Sequence, residues 1–249
     1  NMIDPFHLEA YGKTTVNYNR DVEIFPVLDA MFRRIYGESP YKSPTDMGVN
    51  MIGFCISDDA VCCEAAKQEI IRRYYTTACA VHQGFSDAVE TRRIELVMSS
   101  AGLSSTDRPV VAAALDRAAA TGAPAMSIQL ADGRIITGKT SSLLGAASAC
   151  LMNALKALAG IDKKMLLIPP SIIEPIQHLK VEHMGNHNPR LHTDELLIAL
   201  SICAVTNPIA GYAIDQLEKL RGCEAHSTVI LSHVDQEQFK KLGVNLTCE

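Results

Sequence analysis

The stretch Asp132-Gly133-Arg134-Ile135-Ile136-Thr137-Gly138-Lys139-Thr140-Ser141-Ser142, followed by a long helix of small residues, constrains this chain more than any other. Gly133, four residues and then Gly138-Lys139-Thr140 match the spacing of a phosphate-binding loop, in which backbone N–H groups, a lysine and a hydroxyl surround an anion at a helix start. The same residues also suit a β-hairpin whose second arm runs into a helix, with Asp132-Gly133 as the turn. Arg134 to Thr137 are bulky and mostly β-branched, which favours extended backbone over a compact anion nest. An apolar strand ending in a metal-binding Asp is also missing, because Val229-Ile230-Leu231 runs into Ser232-His233.

The remaining patterning predicts an α/β protein, with a helical N-terminal section followed by a small mixed sheet with packed helices. Residues 1–44 read as an N-terminal arm and helix, connecting to a missing upstream region. Residues 45–124 read as a helical section and 125–249 as an α/β section. An apolar stripe at Leu28, Met31, Phe32 and Ile35 predicts a first helix ending at Gly37. Met47 to Ile56 reads as either strand or helix. Further helices run from Asp58 or Asp59 to near Gly84, from Ser86 to Gly102, and from Thr106 or Asp107 to Gly122.

In the second half, Ala125–Leu130 and Arg134–Thr137 read as paired strands. Ser141 or Ser142 should start a helix ending at Gly160. Strands are expected at Met165–Ile168, Thr228–Leu231 and Val244–Thr247. The last two flank a short helix with a capping box at Asp235 and Gln238, and together suggest a parallel βαβ unit.

A net charge of −5, no Trp and no aromatics interleaved with Lys or Arg argue against nucleic-acid binding. No apolar run is long enough to span a membrane. The eight cysteines contain no Cys-x-x-Cys pair, and several fall at apolar helical positions. They therefore read as free thiols of a cytoplasmic protein.

Two regions are candidate sites. The first is anion-binding: Gly138, Lys139, Thr140, Ser141 and Ser142, where a helix start offers unpaired N–H groups and a partial positive charge. The second is a polar loop carrying His183, His187, Arg190 and His192. His183 and His187 stand four apart, but Gly185 and Pro189 would break the helix a metal site needs, so no metal is assigned. Arg190 or His192 would complete the anion pocket only if the fold joins the two regions. The implied partner is an anionic small molecule, and the only cofactor suggested is a phosphate-containing ligand. One alternative is a homo-oligomeric assembly or scaffold domain packing through the helices at Leu143–Leu158 and Leu196–Ala213. Another is a P-loop-like ATP-binding protein.

The segments Tyr41–Asn50, Lys67–Tyr74, Thr137–Gly145 and Arg221–Thr228 resemble an uncharacterised bacterial family, domain of unknown function 1846. The resemblance implies a carboxy-terminal portion of a longer protein, whose upstream region would be a partner. Some members carry the label ATP-dependent peptidase. The Gly133–Thr140 spacing corresponds to that label, but no protease motif accompanies it. The resemblance transfers no catalytic residues.

Overall fold

A computed structural model describes residues 19–41 and 59–249. The chain divides into two compact units, Asn1–Asp107 and Arg108–Glu249. The first contains α1 (Asn19–Tyr36), α2 (Asp59–His82) and α3 (Ala88–Ser100). Asp87 rather than Ser86 caps α3, its carboxylate accepting from the Val89 amide at 3.1 Å. The ambiguous Met47–Ile56 segment lies outside the described residues.

The second unit is a sheet between helices. Its elements are α4 (Pro109–Thr121), β1 (Ala125–Gln129), β2 (Ile135–Lys139), α5 (Ala146–Ala159), α6 (Pro170–His178), α7 (Thr193–Ala204), α8 (Pro208–Ile214), β3 (Glu224–Ser227), α9 (His233–Lys241) and β4 (Asn245–Cys248). The strand order is β2-β1-β3-β4. β1 is antiparallel to both neighbours, whereas β3 and β4 are parallel and joined through α9. The α/β class and the small mixed sheet are thus as expected. The β1–β2 turn needs a left-handed residue, which Gly133 supplies at φ +83°. The Gly133 amide closes the turn on the Leu130 carbonyl at 2.9 Å.

Three expectations require correction. α5 starts at Ala146, not at Ser141 or Ser142, because Leu143 and Leu144 pair with Leu191 instead of coiling. Met165–Ile168 is not a strand: Met165 and Lys163 bend so that their carbonyls accept from the buried Lys156 ammonium, at 2.5 and 3.2 Å. The third strand is Glu224–Ser227, four residues before the expected Thr228–Leu231.

Register explains why that strand escaped notice. Ser127 pairs with Thr137 and with His226, and His226 pairs with Thr247, so these four side chains share one face. Glu224, Asn245 and Lys139 lie on it too. α4 packs there, with Ser127 Oγ donating to the Val110 carbonyl at 2.5 Å. The opposite face carries Met126, Ile128, Gly138, Ala225 and Cys248 and receives α5. A polar side beneath α4 and an apolar side beneath α5 result.

Arg108, the residue before α4, organises the polar side and is fully buried. It pairs with Glu224 and donates to the carbonyls of Ala225 and Asn245 at 2.9 and 2.6 Å. Nearby, His226 is fully buried with Nδ1 2.9 Å from Thr247 Oγ1. Burial, reinforced by the Arg108 charge, pushes its pKa down from 6.5 to about 4. His226 Nε2 lies 3.6 Å from Glu249, but the ring is neutral at pH 7, so this contact is not an ion pair there.

The linkage has a definite sign. As pH falls through 6.5 the unfolded ring takes a proton that the buried ring refuses until about 4. Stability therefore falls with pH across that window, by about 3 kcal/mol in all at roughly 1.4 kcal/mol per unit. Denaturant titrations across the window should show this slope in the native chain and lose it in His226→Asn. Equal slopes would mean that His226 is not buried in its neutral form.

Candidate functional site

The Thr140–Gly145 loop and the Arg190–Thr193 segment meet along one seam. Leu144 and Leu191 form a parallel bridge, and the Leu191 amide donates to the Leu143 carbonyl at 3.0 Å. Ser148 Oγ, buried in α5, donates to the Leu191 carbonyl at 2.8 Å. Arg190 Nε reaches the Ser141 carbonyl at 2.8 Å. The fold therefore joins the two regions that the sequence presents 49 residues apart.

Leu191 is buried, whereas Arg190 is exposed and His192 partly so. The Arg190 Nη groups make no hydrogen bond among the described residues. The loop preceding Arg190 is held at both ends by Lys180, which is almost fully buried. Its ammonium contacts the Arg190 carbonyl and Glu195 Oε2, each at 2.7 Å.

The Gly138–Ser142 candidates are arranged differently from a phosphate loop. Gly138 and Lys139 belong to β2, and six residues separate Lys139 from the start of α5. Gly138 faces α5: a Cβ there would lie 2.1 Å from the Cys150 amide nitrogen. The glycine is needed because helix and strand backbones touch. Lys139, next along the strand, falls on the face covered by α4 and is exposed.

The Thr140 amide donates to Pro124 O at 2.8 Å, and the Ser141 amide to Leu144 O at 2.9 Å. Ser141 Oγ accepts from the Leu143 and Leu144 amides at 3.3 and 3.1 Å, closing the loop on itself. Ser142 is exposed, its carbonyl held by Gln177. Gly145, the residue before α5, has no side chain to cap the first-turn amides.

His183 ends the helical turn Leu179–His183, His187 lies on the loop that follows, and both are exposed. The His183 ring lies edge-on to His178 at 5.4 Å. Among the described residues no group of three or more His, Cys, Asp or Glu is placed to hold a metal ion. A cavity of about 260 Å³ lies in the first unit, lined by residues including Ile70, Arg73, Glu90 and Val97, and by none of these candidates.

His192 is held by residues that the sequence reading missed. Its Nδ1 lies 3.0 Å from Asp235 Oδ2 and 3.3 Å from Ser232 Oγ. Ser232 Oγ donates to Asp235 Oδ2 at 2.8 Å, and Thr193 donates to Oδ1 through its amide and hydroxyl at 2.8 and 2.9 Å. Burial alone would raise the Asp235 pKa. The hydrogen bonds from His192, Thr193 and Ser232 outweigh it and hold the carboxyl below the usual range. The sequence suggested Asp235 as the cap of α9, but Ser232 caps that helix, its Oγ accepting from the Asp235 amide at 3.2 Å, and Asp235 stands in the first turn. Its contacts with His192 and Thr193 link positions more than forty residues apart, which no local pattern records.

Comparison with known proteins adds the family. The amino-terminal model of domain of unknown function DUF1846 matches residues 1–102, and the carboxy-terminal model matches residues 106–249. The chain belongs to the DUF1846 family. The expected restriction to a carboxy-terminal portion is thereby corrected, since the amino-terminal model also matches.

Similar relatives are named only as UPF0371 proteins. The one from Corynebacterium efficiens is 57% identical over 249 residues, covering 100% of this chain and 50% of the relative. One from Streptococcus thermophilus is 55% identical over 247 residues, covering 99% and 50%. One from Streptococcus pneumoniae is 53% identical over 247 residues, again covering 99% and 50%. The chain spans about half the length of these relatives. No described helix is long and apolar enough to cross a membrane.

Proposed function

We propose that the second unit of this DUF1846 chain binds an anionic small molecule at the seam, between the uncapped start of α5 and Arg190. The carrying observation is the Arg190 Nε–Ser141 O hydrogen bond, which fixes a guanidinium beside the loop leading into α5 and leaves its outer N–H groups for a ligand. An exposed arginine anchored in this way loses less rotamer freedom on binding than an unanchored one and suits phosphate or carboxylate oxygens. The uncapped first turn of a 14-residue helix adds a favourable potential for negative charge. Lys139 has no part in this reading, because it lies on the other sheet face.

Calorimetric titration with pyrophosphate as the probe tests it. Arg190→Gln is expected to weaken binding by about tenfold or more, the effect of losing charge-assisted hydrogen bonds. Lys139→Ala should leave affinity unchanged. No saturable binding to the native chain, or equal losses from both variants, would refute the reading.

Assembly is a second reading, favoured by one observation. Ile198 and Ile202 of α7 and Val205, the residue after it, are 60%, 58% and 83% exposed, at spacings that share one helical face. A chain that stays monomeric at high concentration in light scattering would remove it.

A further inference from the structure

The His192–Asp235 pair does more than a helix cap requires. Two donors from Thr193 already tie Asp235 to the start of α7, and Ser232 ties it to the start of α9. The imidazole is a further donor to a carboxylate already bonded at both oxygens. Asp235 is nearly buried, and its carboxylate stays ionised, so it can only accept. Nδ1 must therefore carry the hydrogen, and in the neutral ring the lone pair is confined to Nε2. No side chain among the described residues bonds Nε2, and the His192 side chain is 28% exposed.

We propose that His192 is a general base, with Asp235 as its positioning residue, acting on a hydroxyl group of a small anionic substrate. The substrate O–H bond breaks and leaves its electron pair on oxygen, while a new N–H bond forms at Nε2. The positive charge gained by the ring lies beside the Asp235 carboxylate, 3.0 Å from Nδ1. The oxygen becomes a nucleophile, and Arg190, two residues earlier in the chain, holds the substrate's anionic group in this reading. Ser232 meets the ring at Nδ1, on the Asp235 side, so it is not the nucleophile of a serine triad. The substrate's charge rests on the anion reading above, whereas the chemistry of the ring does not.

The test uses the 249-residue chain. Long-range proton–nitrogen NMR of the neutral ring is expected to show the proton of His192 on Nδ1. A proton on Nε2 overturns the proposal. Labelling with diethyl pyrocarbonate at a pH of about 8, where imidazole is ordinarily neutral, is expected to modify His192. Asp235→Asn should slow that labelling by about tenfold and scramble the tautomer, and an unchanged rate and tautomer would also overturn it. If Asp235→Asn does not fold, the tautomer of the native chain decides alone. Pyrophosphate separates the two readings: labelling that proceeds equally fast in its presence refutes the anion site and leaves the Nδ1–H tautomer to decide for the base.

Discussion

Replacing Gly138 by alanine should cost at least about 3 kcal/mol of stability, because the added methyl meets backbone rather than side chain. Its Cβ would lie 2.1 Å from the Cys150 nitrogen, 2.5 Å from the Cys150 Cα and 2.6 Å from the Ala149 carbonyl carbon. None of these atoms can swing aside, so α5 must lift from β2 and surrender the contacts of buried Ala146, Cys150 and Leu151. Lys139→Ala, one residue away and exposed, should change stability by less than about 0.5 kcal/mol. Urea midpoints of the two variants without any ligand provide the measurement. Were Gly138 conserving space for a phosphate, its replacement would spare the ligand-free protein. A normal midpoint for Gly138→Ala would therefore restore the phosphate-loop interpretation of this stretch.

Arg108→Met should cost about 3–5 kcal/mol, the range for breaking a buried ion pair by removing one partner. The guanidinium is fully buried, and it pairs with Glu224 while donating to the carbonyls of Ala225 and Asn245. Methionine fills part of the volume but leaves a carboxylate and two carbonyls short of donors beneath α4. The double variant Arg108→Met with Glu224→Leu should recover part of the loss, because the partly buried Glu224 charge is then removed with its partner. Denaturant unfolding of the single and double variants decides the matter. A single variant within 1 kcal/mol of the native chain, on the order of an exposed pair's contribution, would contradict the burial of this group.

Both expectations concern places where local sequence was a poor guide. The β1–β2 hairpin was legible because Asp132-Gly133 supplies the turn and Ile135-Ile136 the extended arm. The parallel β3–α9–β4 unit was legible from its order of elements, but β3 itself was assigned to the wrong residues. Glu224-Ala225-His226-Ser227 carries polar residues where a strand signal demands apolar ones, because its inward face meets Arg108 and Thr247. Val229-Ile230-Leu231 has the composition of a strand but not the pairing.

The site shows the same division. Arg190 and His192 stood out as ionisable residues in an irregular loop, and Ser141 as a helix cap. Ser141 instead caps its own loop, since Leu143 and Leu144 are drawn into pairing with Leu191. Tertiary pairing of apolar side chains thus outweighed the local capping signal. The connections from Arg190 to Ser141 and from His192 to Asp235 span 49 and 43 residues, beyond the reach of any periodicity.

The two chemically unlike sides of the sheet also guard its alignment. Sliding β3 by a single position along β1 would thrust Glu224 and His226 into the greasy layer and leave Arg108 facing methyl groups. That slipped pairing would strand several ionisable groups at once, so the unusual polarity of this short strand disfavours every register but the native one.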